Sequence, residues 1–172
     1  HLLGPEFAGN AFVCEPVHNL VHREIVTRRG ITFRSRRAAS EEATEFLASD
    51  DHWFRPVMAR TGPDGALWIA DMYRYVIEHP EWIPEDFQRR MDVAAGNRQG
   101  RIYRILPDKI DARPIPRLDQ MATPELVAVL ASPNGWQRDM AQQLLIWRDD
   151  RTSHPLLIAM SPFSLSSIST SS

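Results

Sequence analysis

The alternation of apolar and polar residues predicts that the chain begins with β-strands. Residues 10–18 start as an apolar run, and Pro16 within it favours a strand that ends or bulges there. Residues 21–26 and 31–36 alternate apolar and charged positions on either side of an Arg-Gly turn, which is the period of half-buried strands. Residues 40–48 open with a serine and acidic residues, and this pattern predicts one or two helical turns.

A second group of strands is predicted in the middle of the chain. Residues 55–60 and 66–71 have strand character, and the Pro-Asp-Gly sequence within 62–65 predicts a tight turn between them. Residues 72–98 are irregular and rich in Trp, Pro, His and charge before strand alternation returns at 100–106. A loop of this length between two strands is usually functional or covers a site. We therefore expect functional side chains in or beside it.

The last third of the chain predicts helices. The proline-punctuated residues 111–116 predict a linker, and residues 123–130 predict a helix with Thr123 as its N-cap and a proline in its first turn. After a Pro-Asn-Gly break, residues 136–148 predict a second helix, and the next His-Pro pair predicts the start of a third. One face of the second helix carries the apolar residues Trp136, Met140, Leu144 and Trp147. Two short helices joined by a tight turn form an αα-hairpin, one unit of an α-solenoid.

Composition and charge exclude several classes of function. The 172 residues contain 20 Lys+Arg and 22 Asp+Glu, a net charge of −2, so no basic surface for nucleic acid is expected. The arginines at 28–37 are balanced by the glutamates at 41–45, which predicts a solvated charged face. No apolar run reaches the roughly 18–20 residues that span a bilayer. The single cysteine, Cys14, leaves no internal disulfide, cysteine zinc site or haem-attachment motif within these residues.

Both ends of the sequence predict a fragment of a longer protein. The chain opens at His1 with no initiator methionine and no signal-like segment. It closes on the uncharged, Ser-rich residues 161–172, which show no repeat and predict a disordered tail.

Several segments together resemble a bacterial family of membrane-bound dehydrogenases. The four segments are GNAFVCEPVHNLVHR at 9–23, WFRPVMARTGPDGALWIADMYR at 53–74, IEHPEWIP at 77–84 and GRIYRI at 100–105. That family carries a β-propeller similar to the quinoprotein glucose/sorbosone dehydrogenases, then HEAT-like repeats and, in many members, a c-type haem domain. Residues 123–150 resemble the first of those helical repeats.

The resemblance implies a mainly β fold followed by a helical hairpin. Residues 1–108 would be the last one to two blades of the propeller, 109–118 a linker, 119–160 the first HEAT-like repeat or repeats, and 161–172 the tail. A complete propeller needs about four to eight four-stranded blades. The chain alone is therefore expected to be inactive.

The resemblance also implies an activity for the longer protein. It would oxidise a sugar or alcohol outside the cytoplasm, in the periplasm or at a membrane, with pyrroloquinoline quinone and Ca²⁺ as cofactors. Electrons would pass to a haem domain outside this chain. The alternative is a non-catalytic propeller and repeat scaffold that binds carbohydrate or protein, because fold alone does not establish chemistry.

Candidate site residues lie near the predicted strand ends. His18 and His22 would share one face of a helix, or lie about 13 Å apart along a strand, too far to share a metal. His18 is the candidate general base, and the alternative is a hydrogen-bonded structural histidine. Arg55 could pair with a carboxylate of a cofactor or substrate, or with a neighbouring blade. The polar residues after the second strand pair could bind a sugar, a quinone carboxylate or Ca²⁺, or simply tie the loop to the propeller rim. The catalytic candidates are His18, Arg55, Asp71 and Arg74, the cofactor-binding candidates are His22, Glu78 and His79, and no metal ligand is assigned.

Overall fold

The first sheet of the computed structural model, which describes residues 2–160, is built around one long central strand. The strands are β1 (Asn10–Glu15), β2 (Leu20–Arg29), β3 (Thr32–Arg37) and β4 (Leu47–Ala48). β1 runs antiparallel along one edge of β2, while β3 and the short β4 pair with different parts of its other edge. This confirms the strands predicted at 10–18, 21–26 and 31–36.

The predicted second sheet is also confirmed. β5 (Pro56–Thr61), β6 (Leu67–Asp71) and β7 (Arg101–Ile105) pair antiparallel in sequence order. The Pro-Asp-Gly sequence forms the turn between β5 and β6. Between β6 and β7 the long loop contains only a 3-10 turn at Pro80–Trp82 and the short helix α1 (Glu85–Gln88).

The two sheets share one hydrophobic core. Val21 of β2 lies against Leu67 and Ile69 of β6, and all three side chains are buried. Partly buried side chains surround them, namely Leu3, Phe12, Cys14, Phe46, Leu47, Ala59, Tyr103 and Ile105. Burial of this apolar surface is the main force that holds the sheets together.

Two predictions about the first sheet are wrong. Residues 40–48 form only a 3-10 turn at Ala39–Glu41 before β4, because their glutamates pair with side chains of β2 and β3 and their last apolar residues join the core. The strand at 31–36 is not half-buried, since Ile31 and Phe33 are exposed. Tertiary contacts override local helix signals of this strength.

Contacts divide the described chain into two compact units. The sheet unit contains residues 2–62 and 66–112, and the helical unit contains residues 63–65 and 113–160. The prediction of a sheet part followed by helices is confirmed at this level. The Ser-rich segment predicted as a tail, 161–172, lies outside the described residues.

The helical unit consists of α2 (Thr123–Val129), α3 (Gly135–Arg148) and α4 (Ser153–Met160). Its core is formed by Leu118, Leu126 and Ala141. The three predicted helices are therefore confirmed, and the Asn134 side chain caps α3 by accepting the Trp136 N–H at 3.0 Å.

Two details of the helices differ from the prediction. Thr123 is not the N-cap: it is the first residue of α2, and its hydroxyl donates to Asp150 at 2.6 Å. Trp147 is 69% exposed, whereas Ala141, Leu144 and Leu145 face the core with Trp136 and Met140. The buried stripe of α3 is therefore rotated away from Trp147.

Candidate functional site

A buried carboxylate at the end of β6 organises the chain around the predicted site. Asp71 is 3% exposed, and its Oδ1 accepts the backbone N–H of Arg55 at 2.7 Å and that of Tyr73 at 2.8 Å. Tyr73 has a φ of 47°, a left-handed conformation that a bulky residue seldom adopts, so the bond that its N–H donates to Asp71 stabilises a strained turn. The other oxygen, Oδ2, is buried without a hydrogen-bond partner.

The guanidinium of Arg55 is occupied by backbone carbonyls. Nε donates to Arg74 O at 3.0 Å, and Nη2 donates to Tyr75 O at 2.9 Å. Nη1 donates to Pro16 O at 2.8 Å and Val17 O at 3.2 Å. Arg55 thus ties the β1–β2 turn to the chain that leaves β6, and all three of its nitrogens are engaged.

Arg74 connects the same region to the long loop. Its Nη2 donates to Val93 O at 3.4 Å, while its Nε is buried without a partner. The neighbouring Tyr73 ring stacks under the Arg101 guanidinium at 3.5 Å. The backbone of Gly96 approaches Tyr73 so closely that an added Cβ would lie 2.2 Å from its carbonyl oxygen. Tyr73 and Arg74 therefore contact other parts of the sheet unit, whereas Met72 and Tyr75 are exposed.

The two candidate histidines lie in different environments. His18 is in the β1–β2 turn rather than in a strand, and its side chain is 72% exposed, with Nδ1 3.6 Å from Glu15. His22 is in β2, as predicted, with Nδ1 2.8 Å from a Glu45 oxygen and Nε2 2.7 Å from a Glu24 oxygen. The hydrogen bonds with Glu24 and Glu45 raise the pKa of His22, against the opposing effects of burial and Arg37.

Glu78 and His79 lie on the exposed part of the loop. A Glu78 oxygen accepts the backbone N–H of Ile77 at 3.2 Å. His79 Nδ1 accepts the backbone N–H of Glu81 at 3.3 Å and lies 3.9 Å from its carboxylate. Both residues therefore make local loop contacts.

The structure brings together three of the seven predicted residues. Arg55, Asp71 and Arg74 are joined through the backbone around the end of β6. His22 belongs to a separate charged cluster, and none of the seven lines the cavity of about 290 Å³ that lies in the sheet unit near Phe12 and Leu67. In the part of the chain that the structure describes, no group of three or more His, Cys, Asp and Glu side chains could hold a metal ion.

Sequence reasoning missed the charged cluster around His22. The arginines at 28–37 and the glutamates at 41–45 were predicted as a solvated face, but Glu41 forms a largely buried ion pair with Arg23 at 2.7 Å, and Glu45 binds both His22 and Arg37. A signal was available, because His22 and Glu24 share one face of a strand while Arg23 faces the other way.

These contacts do not fit a site for pyrroloquinoline quinone and Ca²⁺. Such a cofactor needs cationic side chains for its carboxylates, and Ca²⁺ takes six to eight oxygen ligands. Arg55 is committed to four backbone carbonyls, and Asp71 offers a single unpartnered oxygen below the surface. Arg55 and Asp71 bind backbone groups instead.

Comparison with known families decides the classification of the sheet unit. The model of the family described as "Domain of unknown function (DUF7133)" matches residues 1–109. The chain belongs to the DUF7133 family. The match covers both sheets, the long loop and all seven candidate residues, whereas the three helices of the helical unit lie after it. No curated protein and no solved structure matches the chain.

Among the described helices, none combines the length and apolar character needed to cross a membrane.

Proposed function

We propose that the DUF7133 part of this chain is a non-catalytic scaffold of propeller type. In this proposal the two antiparallel sheets are adjacent blades, and the helices after them are a HEAT-like repeat. The sheets support it because β1, β2 and β3 pair in sequence order, as do β5, β6 and β7, and the two sheets share one core. The scaffold would present its loops and outer faces to a carbohydrate or a protein.

The observation that carries this proposal is that the Arg55 guanidinium donates four hydrogen bonds to backbone carbonyls. A guanidinium that recognises a substrate or cofactor needs free donors toward the ligand. Here the donors bind carbonyls of the β1–β2 turn and of the chain that leaves β6, so the side chain maintains the shape of both segments. Asp71 does the same by accepting two backbone N–H groups.

The second candidate is that the chain is a fragment of an extracytoplasmic sugar or alcohol dehydrogenase of the quinoprotein-like kind. The specific observation in its favour is the exposed imidazole of His18, beside a turn that Arg55 fixes. In this proposal the quinone, its calcium ion and the haem domain that receives the electrons would be held by other parts of a longer protein. This chain would contribute His18 and the β1–β2 turn that holds it.

A dye-reduction assay separates the two candidates. Because the second candidate places the cofactors on other parts of a longer protein, the assay uses that longer protein, incubated with pyrroloquinoline quinone and Ca²⁺ and tested against a panel of sugars and alcohols. The scaffold proposal expects no reduction above the rate of the cofactor alone. Reduction that is lost in His18→Gln but kept in His154→Gln, a variant of an exposed histidine in the helical unit, would overturn it in favour of the dehydrogenase.

A further inference from the structure

The segment between β3 and β4 is fastened to both faces of the first sheet. We call residues 38–46 the clasp segment. Neighbouring residues of a strand point to opposite faces, so His22 and Arg23 face opposite ways along β2. His22 contacts Glu45 at 2.8 Å and Arg23 contacts Glu41 at 2.7 Å, so the two glutamates hold the clasp segment from both sides of the strand.

The two fastenings differ in their response to pH. Arg23 is always charged, and its pair with Glu41 is largely buried, with the Arg23 guanidinium also 4.5 Å from the centre of the Phe7 ring. The imidazole of His22 gains or loses a proton near neutral pH. Only the His22 side of the clasp segment can therefore be switched under mild conditions.

Both ring nitrogens of His22 face carboxylate oxygens. Nδ1 lies 2.8 Å from Glu45 Oε2 and Nε2 lies 2.7 Å from Glu24 Oε1. A doubly protonated imidazole donates to both, but a neutral imidazole has one N–H and presents a lone pair to the second carboxylate. One of the two contacts is then repulsive, and the carboxylate on the more movable segment of the chain is displaced.

The positions of the two carboxylates indicate that Glu45, and not Glu24, is released. Glu24 is on β2 itself, two residues away on the same face, and cannot move far from His22. Glu45 is on the clasp segment, where Arg37 of β3 donates to its Oε1 at 2.9 Å and to the backbone oxygen of Thr44 at 2.6 Å. On the β1 side, His22 is opposite Val13, which carries no charge.

We propose that His22 is a proton-operated latch, which holds Glu45 against β2 when doubly protonated and loosens residues 42–46 of the clasp segment when it loses a proton to solvent. Arg37 and the Arg23–Glu41 pair keep the segment attached, so the change is a local loosening rather than unfolding. The pKa of His22 is raised and those of Glu24 and Glu45 are lowered, which places the switch above the ordinary range of histidine and keeps both carboxylates charged.

The loosening has a defined route into the core. Phe46 directly follows Glu45, and its ring packs edge-on against Phe12 of β1 with the ring centres 4.9 Å apart. Leu47 comes next and pairs with Val21 of β2. Release of Glu45 should therefore change the environment of the Phe46 ring first and that of Leu47 second.

Carbon-detected NMR of the 172-residue chain between pH 5.5 and 8.5 tests the latch. The His22 ring signal is expected to titrate with a midpoint above about 6.5. The Phe46 ring and Leu47 methyl signals should shift with that same midpoint, and the Phe46–Phe12 cross-peak should lose most of its intensity on the alkaline side. Phe46 and Leu47 signals that do not follow His22 would overturn the proposal.

Three variants complete the test. In His22→Gln the Phe46–Phe12 cross-peak should be weak at every pH, while His18→Gln should behave as the unmodified chain. Glu45→Gln leaves His22 and Glu24 of β2 unchanged, so it tests the latch even if His22→Gln fails to fold. It should lower the His22 midpoint, and an unchanged midpoint would contradict the latch.

Discussion

The carboxylate of Asp71 accepts the backbone N–H of Arg55 at 2.7 Å and thereby joins the end of β6 to the residue before β5. The same oxygen accepts the N–H of Tyr73 at 2.8 Å. A single buried oxygen thus fixes both the entry to one strand and the exit from its neighbour. The side chain of Arg55 then extends this connection to the β1–β2 turn.

Removal of the Asp71 carboxylate should destabilise the sheet unit. Asp71→Ala leaves two partly buried N–H groups without an acceptor, which costs about 2–6 kcal/mol at about 1–3 kcal/mol for each group. Asp71→Asn keeps an acceptor oxygen and removes a buried charge whose Oδ2 has no partner, so its cost should be smaller. Urea unfolding measures both free energies.

The matched control is Asp111→Ala, an aspartate in the exposed linker. Its free energy of unfolding should stay within about 0.5 kcal/mol of the unmodified chain. Equal effects of Asp71→Ala and Asp111→Ala would show that Asp71 does not organise the turn.

The core between the sheets can be tested with two isoleucines of neighbouring strands. Ile69 of β6 is fully buried, whereas Ile102 of β7 is 69% exposed. Ile69→Ala should lower the free energy of unfolding by about 2–4 kcal/mol because it leaves a cavity. Ile102→Ala should cost less than about 1 kcal/mol, and equal losses would argue against the core as described.

The close approach of the long loop to Tyr73 makes Gly96 a sensitive position. Gly96 has a φ of +84°, and an added Cβ would meet the Tyr73 carbonyl oxygen at 2.2 Å. Gly9 has a similar φ of +71° but no atom within 4 Å of an added Cβ. Gly9→Ala should therefore lower the free energy of unfolding only by the conformational cost of about 1–2 kcal/mol. Gly96→Ala should lower it clearly more.

Thermal unfolding of the two glycine variants measures this difference. The loss in Gly96→Ala beyond that in Gly9→Ala is the contribution of the contact between the loop and Tyr73. If both variants lose the same stability, the loop is not packed against Tyr73 in solution.

The charged cluster predicts how stability changes with pH. A raised pKa of His22 contributes stability that is complete below about 6.5 and is lost as pH rises through the folded-state value. The lowered pKa values of Glu24 and Glu45 contribute stability above about 4.3 that is lost as pH falls through their folded-state values. The contribution of the cluster is therefore largest between these limits, at about pH 5–6.5.

Urea midpoints at pH 5.5 and 8.0 check the alkaline side of this prediction. The difference in stability between the unmodified chain and His22→Gln should be larger at pH 5.5 than at 8.0. A difference that is the same at both pH values would mean that the proton on His22 adds nothing to the folded state.

Local patterns were sufficient to predict most elements of the fold. The strands around residues 21–26, 55–60 and 66–71 follow from period-2 alternation and from turn residues between them, because both signals are local. The helix predicted at 40–48 is absent because Glu41 and Glu45 pair with residues of β2 and β3 that are distant in sequence. Such pairing is visible only once the sheet is formed.

The candidate site could be predicted only in part. The strand ends drew attention to Arg55 and Asp71, and the structure joins these two residues by a hydrogen bond. Their partners are backbone groups of residues 16, 17, 73, 74 and 75, and a backbone group leaves no trace in the residue type. The sequence therefore identified important residues, while the nature of their contacts needed the fold.

The central claim, that Arg55 serves the fold rather than a cofactor, is tested most directly by the thermal unfolding midpoint of Arg55→Lys with and without pyrroloquinoline quinone and Ca²⁺. Lysine cannot reproduce the planar fork of donors, and a loss of about 1–2 kcal/mol should lower the midpoint by about 2–8 °C. The quinone and Ca²⁺ should leave the midpoints of both proteins unchanged. An unchanged midpoint in the variant, together with cofactor stabilisation of the unmodified chain that the variant loses, would contradict the account.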